Sequence, residues 1–406
     1  MRAAYIIDGI RTPIGSFKGT LAEVRADDMA AHVIRKLMER NPNVPAAEIE
    51  DVLLGCANQA GEDNRNVARM ALLLAGLPIN IGGETINRLC ASGMSAVAQA
   101  AQAIRSNEGD LFIAGGVENM TRGPLVLSKA SSPFGQDQQM YDSSFGWRFI
   151  NPLMHAQYGT DQMGVTAENL AEKYSISRED QDLFALRSQM KAAAAHEKGF
   201  FAEEIAPVEI PQKRGEPIFF SRDEFLKPNT TLEGLSRLKT AFKKEGGSVT
   251  AGNASGLNDG AGAILLASDH AVYTHELKPK ARILSAAVFG VEPRIMGIGP
   301  VGASEKALKR AGLTLDDMDV IELNEAFAAQ VLACTRAMGL SDDDARINPN
   351  GGAIALGHPL GMSGARIIIA AVNQLRRSNK RYALATMCIG VGQGYAVVLE
   401  NTDYKS

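Results

Sequence analysis

The sequence predicts an α/β fold with buried strands. Two observations carry this: short apolar segments alternate with longer helical ones at both ends of the chain, and the two ends resemble each other. Ala3 to Ile7 reads as a first strand, and Asp28 to Arg40 has helical spacing. Val52 to Leu54 is a short strand entering Gly55-Cys56. Ser92 to Arg105 is Ala-rich and reads as a buried helix. Leu111 to Ala114 is the next strand, stopped by Gly115-Gly116. From about Thr121 to Gly247 strand signals are few and the long charged helices gather. Ser177-Arg178-Glu179-Asp180 is a capping box. Its helix runs to Gly199, a C′ residue. After Lys278 the alternation returns. Asp51–Leu54 aligns with Asp319–Glu322 at an offset of 268, and Gln102–Asn107 with Gln374–Asn379 at 272, with a four-residue insertion between them. This duplication sets Cys56 opposite Asn324, Gly116 opposite Cys388, and Cys90 beside the loop holding His358. Strand ends and helix starts of this kind are where α/β folds place their sites.

Composition narrows the function. The 406 residues amount to two to three domains at ~150 residues each. A net charge of −4, with no Lys/Arg run longer than two, lacks the clustered cations a nucleic-acid binder needs. The cysteines are Cys56, Cys90, Cys334 and Cys388, with no CxxC, so neither a disulfide scaffold nor a structural zinc site is indicated. The apolar stretch before Asp8 is too short for a signal peptide. No run approaches the ~18 apolar residues of a membrane span. The expectation is a soluble cytoplasmic protein with no metal, nucleic-acid or membrane partner.

Four segments carry chemistry. Cys90 lies in Asn87-Arg88-Leu89-Cys90-Ala91-Ser92-Gly93, directly before the buried helix. A helix N-terminus lowers a thiol pKa, and small neighbours admit a substrate carbonyl. A core cysteine is the plainer alternative. His358 sits between Gly357 and Pro359 in a glycine-rich run. Ala353–Leu356 reads as a strand lifting it into a turn before a helix over Ala365–Leu375. A local turn contact is the alternative. Cys388 follows a strand ending at Met387 and precedes Gly390-Val391-Gly392-Gln393-Gly394. It could equally be a buried residue beneath a turn. Asn324, with Glu325, is polar in an apolar context, and a helix N-cap explains it as well. Together, two thiols, an imidazole and an amide suggest a nucleophilic thiol, its base, a second thiol and a polar orienter. One thiol can carry an acyl group while the other moves a proton at carbon. That is C–C bond chemistry beside a thioester.

These segments resemble those of the thiolase family over essentially the whole chain. The resemblance extends to Arg11-Thr12-Pro13-Ile14-Gly15, Gly115-Gly116-Val117-Glu118-Asn119-Met120 and Val249-Thr250-Ala251-Gly252-Asn253-Ala254-Ser255-Gly256. It implies two duplicated βαβαβαββ halves in a five-layered α-β-α-β-α core plus a loop domain. The halves would be residues 1–120 with 248–277, and 278–406, with 121–247 as the loop domain. It implies Cys90 as acylated nucleophile, His358 as its activator and Cys388 as acid/base at the α-carbon. Asn324 would hold an oxyanion-hole water, and the N–H groups of Cys90 and Gly390 would form a second hole. Coenzyme A is implied as co-substrate, with no permanent cofactor, contacted by Ser255, Lys227, Ala326, Phe327 and Met163. Lys227 stands where many relatives have an adenine-stacking Arg, which an ammonium does not replace. A homo-oligomer, most simply a tetramer, is implied.

Gln162 replaces the His that short-chain biosynthetic relatives carry before Met163-Gly164. Ser144–Met154, Glu292–Pro300 and Val391 resemble 3-oxoadipyl-CoA (β-ketoadipyl-CoA) thiolases of aromatic degradation. Arg148, His155 and Arg88 are then candidates for a distal substrate carboxylate, since a buried carboxylate needs cations or donors. Arg148 has a loop or subunit salt bridge as its alternative. An acetyl-CoA C-acetyltransferase or general 3-ketoacyl-CoA thiolase is the neighbouring reading. A non-catalytic acyl-CoA- or lipid-binding relative would lack Cys90, His358 or Cys388, and all are present.

Overall fold

The computed structural model describes residues 2–58 and 61–405. The first half runs β1 (Ala4–Arg11), α1 (Ala26–Arg40), β2 (Ile49–Gly55), α2 (Val67–Leu74), β3 (Gly82–Ile86), α3 (Ser92–Arg105) and β4 (Leu111–Asn119). The chain then leaves the sheet through α4 (Met163–Lys173) and α5 (Arg178–Glu197), and returns as β5 (Asn258–Ser268). β5 lies antiparallel to β4, with Asp259 opposite Asn119. The second half runs β6 (Ala281–Gly290), α6 (Gly299–Ala311), β7 (Val320–Leu323), α7 (Ala328–Ala337), α8 (Leu360–Arg377), β8 (Tyr382–Ile389) and β9 (Gln393–Asn401).

The strand order is β7-β8-β9-β6-β1-β5-β4-β2-β3. β1 and β6 join the halves antiparallel through Tyr5 opposite Arg282 and Ile6 opposite Ala281. Helices α3 and α8 fill the centre, packed on Ala114, Ile264, Ala385 and Val397 from both halves. The opposite strand faces bury against α1 and α2 in the first half, and against α6 and α7 in the second. This is a five-layered α-β-α-β-α core. α3 is Ala-rich because it is enclosed on nearly every side, and bulkier side chains would overpack it.

Irregularities repeat between the halves. β1 shifts register between Ile6 and Asp8, and β6 does so between Ile283 and Ser285. Asn107 and Asn379 both end their helices left-handed, at φ 64° and 48°. The following amides, of Glu108 and Lys380, reach back to Ala103 O and Leu375 O at 3.0 and 2.9 Å. Cys90 and His358 each stand two residues before a central helix. α3 has 14 residues and α8 has 18, so α8 is longer by about one turn.

The register corrects two expected correspondences. Ala114 and Ala385 both face the central layer and pair with Leu53 and Glu322. The counterpart of Asn324 is therefore Gly55, not Cys56, and that of Gly116 is Met387, not Cys388. Short sequence matches do not fix a strand to one residue, and a one-residue slip turns every side chain to the other face.

Local expectations differ in four further places. β4 does not stop at Gly115-Gly116 but runs to Asn119. These glycines serve close packing, since a Cβ on Gly116 would lie 2.0 Å from Gly361 O. Ala353–Leu356 is a helical turn, not a strand. Four apolar residues carry no period to tell the two apart. Here Glu325 Oε2 accepts the Ile354 N–H at 3.1 Å, and Ser188 Oγ accepts that of Gly352 at 3.1 Å. α8 begins at Leu360, and β8 continues through Cys388 to Ile389. The Ser177/Asp180 capping box forms, and Gly199 follows α5 with φ 73°.

Candidate active site

Cys90 lies in a single 3-10 turn, Leu89–Ala91, leading into α3. Leu89 is left-handed at φ 48°, a strained state for a leucine. Local bonds hold it: Asn87 Oδ1 accepts the Leu89 N–H at 2.9 Å, and Ser92 Oγ donates to Leu89 O at 2.6 Å. Burial pushes the Cys90 thiol up, while the N–H groups of Gly390 and of Cys90 itself pull it back down. Cys90 belongs to the first half of the fold and Gly390 to the second. Gly390 precedes Val391, another non-glycine residue in the left-handed region at φ 64°.

His358 is buried in the turn before α8. Its N–H donates to Asn258 Oδ1 at 2.9 Å. Its Nδ1 lies 2.6 Å from Ser363 Oγ, and that hydroxyl donates to Pro359 O at 2.8 Å. With the serine proton committed, Nδ1 carries the imidazole hydrogen and Nε2 is left as an acceptor. Asn324 Nδ2 faces Nε2 at 3.4 Å. Burial, reinforced by the charge of Arg366, pushes the imidazole down to about 3. His358 is thus neutral at physiological pH, with a lone pair available.

Asn324 is not a helix cap, since α7 begins at Ala328. Its N–H donates to Thr386 O at 3.0 Å. Its buried Oδ1 has no hydrogen-bond partner among the described residues. Burial holds the Cys388 thiol well above its usual range, and negative charge on Cys90 would raise it further. Cys90, Gly390, Met163, Trp147 and Arg148 line one cavity of about 480 Å³. Cys90 and Gly390 line this cavity, whereas His358, Asn324 and Cys388 are not among its lining residues.

Residues 4–270 match the family model "Thiolase, N-terminal domain", and residues 277–401 match "Thiolase, C-terminal domain". The chain belongs to the thiolase family. It is 60% identical to the beta-ketoadipyl-CoA thiolase of Acinetobacter baylyi, over 98% of this chain and 100% of that one. Identity is likewise 60%, over 98% and 100%, to the 3-oxoadipyl-CoA/3-oxo-5,6-dehydrosuberyl-CoA thiolase of Escherichia coli. The crystal structure of the Bacillus anthracis acetyl-CoA acetyltransferase superposes with a TM-score of 0.91 at 40% identity, covering 99% of both chains. The protein is therefore an acyltransferase that acts on acyl-CoA thioesters.

Thiolase site residues predicted from sequence fall into separate groups. Arg148 and Met163 line the cavity with Cys90. Arg88 and His155 do not. Arg88 turns to Ser95 Oγ at 3.3 Å, Gln393 Oε1 at 3.2 Å and the Tyr395 ring. His155 Nδ1 meets Thr160 Oγ1 at 2.8 Å. Ser255, Ala326 and Phe327 form one strip: Ser255 N–H and Oγ both donate to Ala326 O, at 3.0 and 3.1 Å. Phe327 stands edge-on to Phe242. Lys227 sets its ammonium 4.9 Å from the Phe225 ring centroid, and that ring abuts Gly256 beside the strip. Sequence reasoning gave no role to Glu118, Asn258 or Ser363. Glu118 had a usable signal, being a carboxylate inside an apolar strand.

Proposed function

We propose that this thiolase cleaves 3-oxoadipyl-CoA with coenzyme A to give succinyl-CoA and acetyl-CoA, in the degradation of aromatic compounds. The observation that carries the substrate reading is Arg148. It lines the cavity that holds Cys90, among Phe145, Trp147 and Phe149. Its hydrogen bond is to Ser143 O at 3.4 Å, and no ion pair to it occurs among the described residues. A guanidinium in the nucleophile's cavity with no carboxylate within ion-pair distance among the described residues suits a substrate that brings its own. The names of the relatives at 60% identity support the same substrate.

In this reading His358 Nε2 takes the Cys90 proton, and the thiolate attacks the 3-keto carbon. The C2–C3 bond breaks with its electron pair going to C2. Cys388 protonates that carbon, and acetyl-CoA leaves. Coenzyme A, giving its proton to Cys388, then attacks the succinyl–Cys90 thioester and releases succinyl-CoA, a ping-pong sequence. Asn324 and His358 would hold a water against one thioester oxygen, and the Cys90 and Gly390 N–H groups would bind the other. Removing comparable donors costs ~3–4 kcal/mol each. Residues 1–120 with 248–277 and residues 278–406 form the two catalytic halves. The loop domain, 121–247, supplies Met163 and Lys227 for coenzyme A, with Ser255, Ala326 and Phe327 alongside. The enzyme is cytoplasmic and works as a homotetramer. The hairpin of Leu125–Leu127 and Met140–Asp142 supports assembly, since it exposes Leu125, Leu127 and Met140.

The aromatic cavity wall also favours a second reading, a general 3-ketoacyl-CoA thiolase. Thiolysis of 3-oxoadipyl-CoA beside 3-oxohexanoyl-CoA and acetoacetyl-CoA separates the two. A preference in kcat/KM of about tenfold for the dicarboxylic substrate, ~1.4 kcal/mol, supports the first. Equal or reversed preference leaves the second.

A further inference from the structure

We propose that Glu118 is a positioning residue of the thiolase reaction, fastening helix α8, whose preceding turn carries His358, to the chain that follows β2. Its Oε2 accepts the N–H of Gly361 and that of Ala57, each at 2.9 Å, and its Oε1 accepts that of Asn58 at 3.0 Å. Gly361 is in the first turn of α8, three residues after His358 and two before Ser363. Ala57 and Asn58 follow β2. One carboxylate thus ties the turn that orients the imidazole to the opposite half of the fold. The fit leaves no slack, since a Cβ on Gly361 would lie 2.5 Å from Val117 O and 2.7 Å from Gly55 O. An acid at a helix start also meets the positive end of the helix dipole.

Glu118 lines the cavity that holds Cys90. Cys90 and Arg148 are the other titratable and charged groups that line that cavity, and Cys56 Sγ is 3.8 Å from Oε1. Asp63 lies behind Cys56, 4.0 Å from its sulfur. Burial lifts the Glu118 carboxyl to about 7, and its negative charge raises the Cys90 thiol. The carboxylate therefore has two separable effects. It seats the base, which favours turnover, and it makes the nucleophile less acidic. A residue that only packs would do neither selectively.

The inference rests on the roles given above to Cys90 and His358. The test measures thiolysis and, separately, the pH midpoint of Cys90 alkylation by iodoacetamide, located by peptide mass spectrometry. Glu118→Gln is expected to lower kcat by about 10- to 100-fold, with the KM for coenzyme A little changed. It should also move the alkylation midpoint to lower pH. Glu118→Asp keeps the charge but shortens the reach, so kcat falls while the midpoint stays at the wild-type value. It carries the kcat test if the Gln variant does not fold. A Glu118→Gln enzyme with wild-type kcat, or with an unmoved midpoint, overturns the proposal. If Cys90→Ala kept its activity, the site assignment itself would fail, a distinct result.

Discussion

Ser363 Oγ accepts the Nδ1 hydrogen of His358 across 2.6 Å while donating its own proton to Pro359 O. This relay fixes which imidazole nitrogen can act as base. Ser363→Ala frees the ring to rotate and lets the wrong tautomer form. Expected is a kcat loss of about 10- to 100-fold with KM nearly unchanged, read by steady-state thiolysis. A proportional loss in KM would point to a binding role instead.

On the proposed mechanism, Cys90→Ala removes the acyl acceptor. Thiolysis should fall by more than ~1000-fold, and the acyl-enzyme mass shift seen on mixing wild type with substrate should vanish. Residual activity above that level would contradict the nucleophile assignment.

Arg148→Ala should lower kcat/KM for 3-oxoadipyl-CoA by about tenfold or more, ~1.4 kcal/mol. Acetoacetyl-CoA, with no distal carboxylate, should be nearly indifferent. A parallel loss on both substrates would show that Arg148 supports the cavity wall rather than reading the substrate.

Arg11 is fully buried between Glu204, at 2.7 Å, and Asp223, at 2.7 and 2.9 Å. It joins β1 to the segment leading back from α5. Arg11→Ala strands two buried carboxylates and should cost about 3–5 kcal/mol, read from the shift of a chemical denaturation curve. A shift under ~1 kcal/mol would mean that water or another cation replaces the guanidinium.

Acid should destabilise the protein through His358. Its folded pKa, about 3, lies below the ordinary 6.5, so the fold prefers the neutral ring. The associated stability is present above pH 6.5 and is lost as pH falls from there towards 3. Melting temperature should drop over that window, and less steeply in His358→Gln. Parallel curves for the two proteins would place the acid sensitivity elsewhere.

Much of this architecture was legible because it is local. α3 is bounded by Ser92 and Arg105 as the Ala-rich segment implied, and the Ser177/Asp180 box forms where its spacing put it. The Cys90, His358 and Cys388 segments were visible because each pairs a reactive residue with glycines near an element boundary, and the Asn324 segment because it is polar in an apolar context. What stayed hidden depends on approach between distant strands. Gly116 looked like a stop signal, although it admits the Gly361 carbonyl into the first half. Ser363 is only five residues from His358, but a serine in a glycine-rich run carries no sign of its direction. The pairing of Gly55 with Asn324 across the duplication emerged only from hydrogen-bond register.

Asn119 and Asp259 sit on the same rung of adjacent strands, so the chain from 120 to 257 leaves and re-enters the sheet at one doorway. The excursion carries Arg148, Met163 and the aromatic wall, whereas Cys90, His358, Cys388 and Asn324 all belong to the duplicated core. With the roles proposed above, selection could rewrite what the enzyme accepts without touching what it does to it. On the proposed role of Arg148, acyl preference would be an exchangeable cassette, and a chimera swapping this one segment between relatives should inherit the donor's substrate range while keeping the recipient's chemistry.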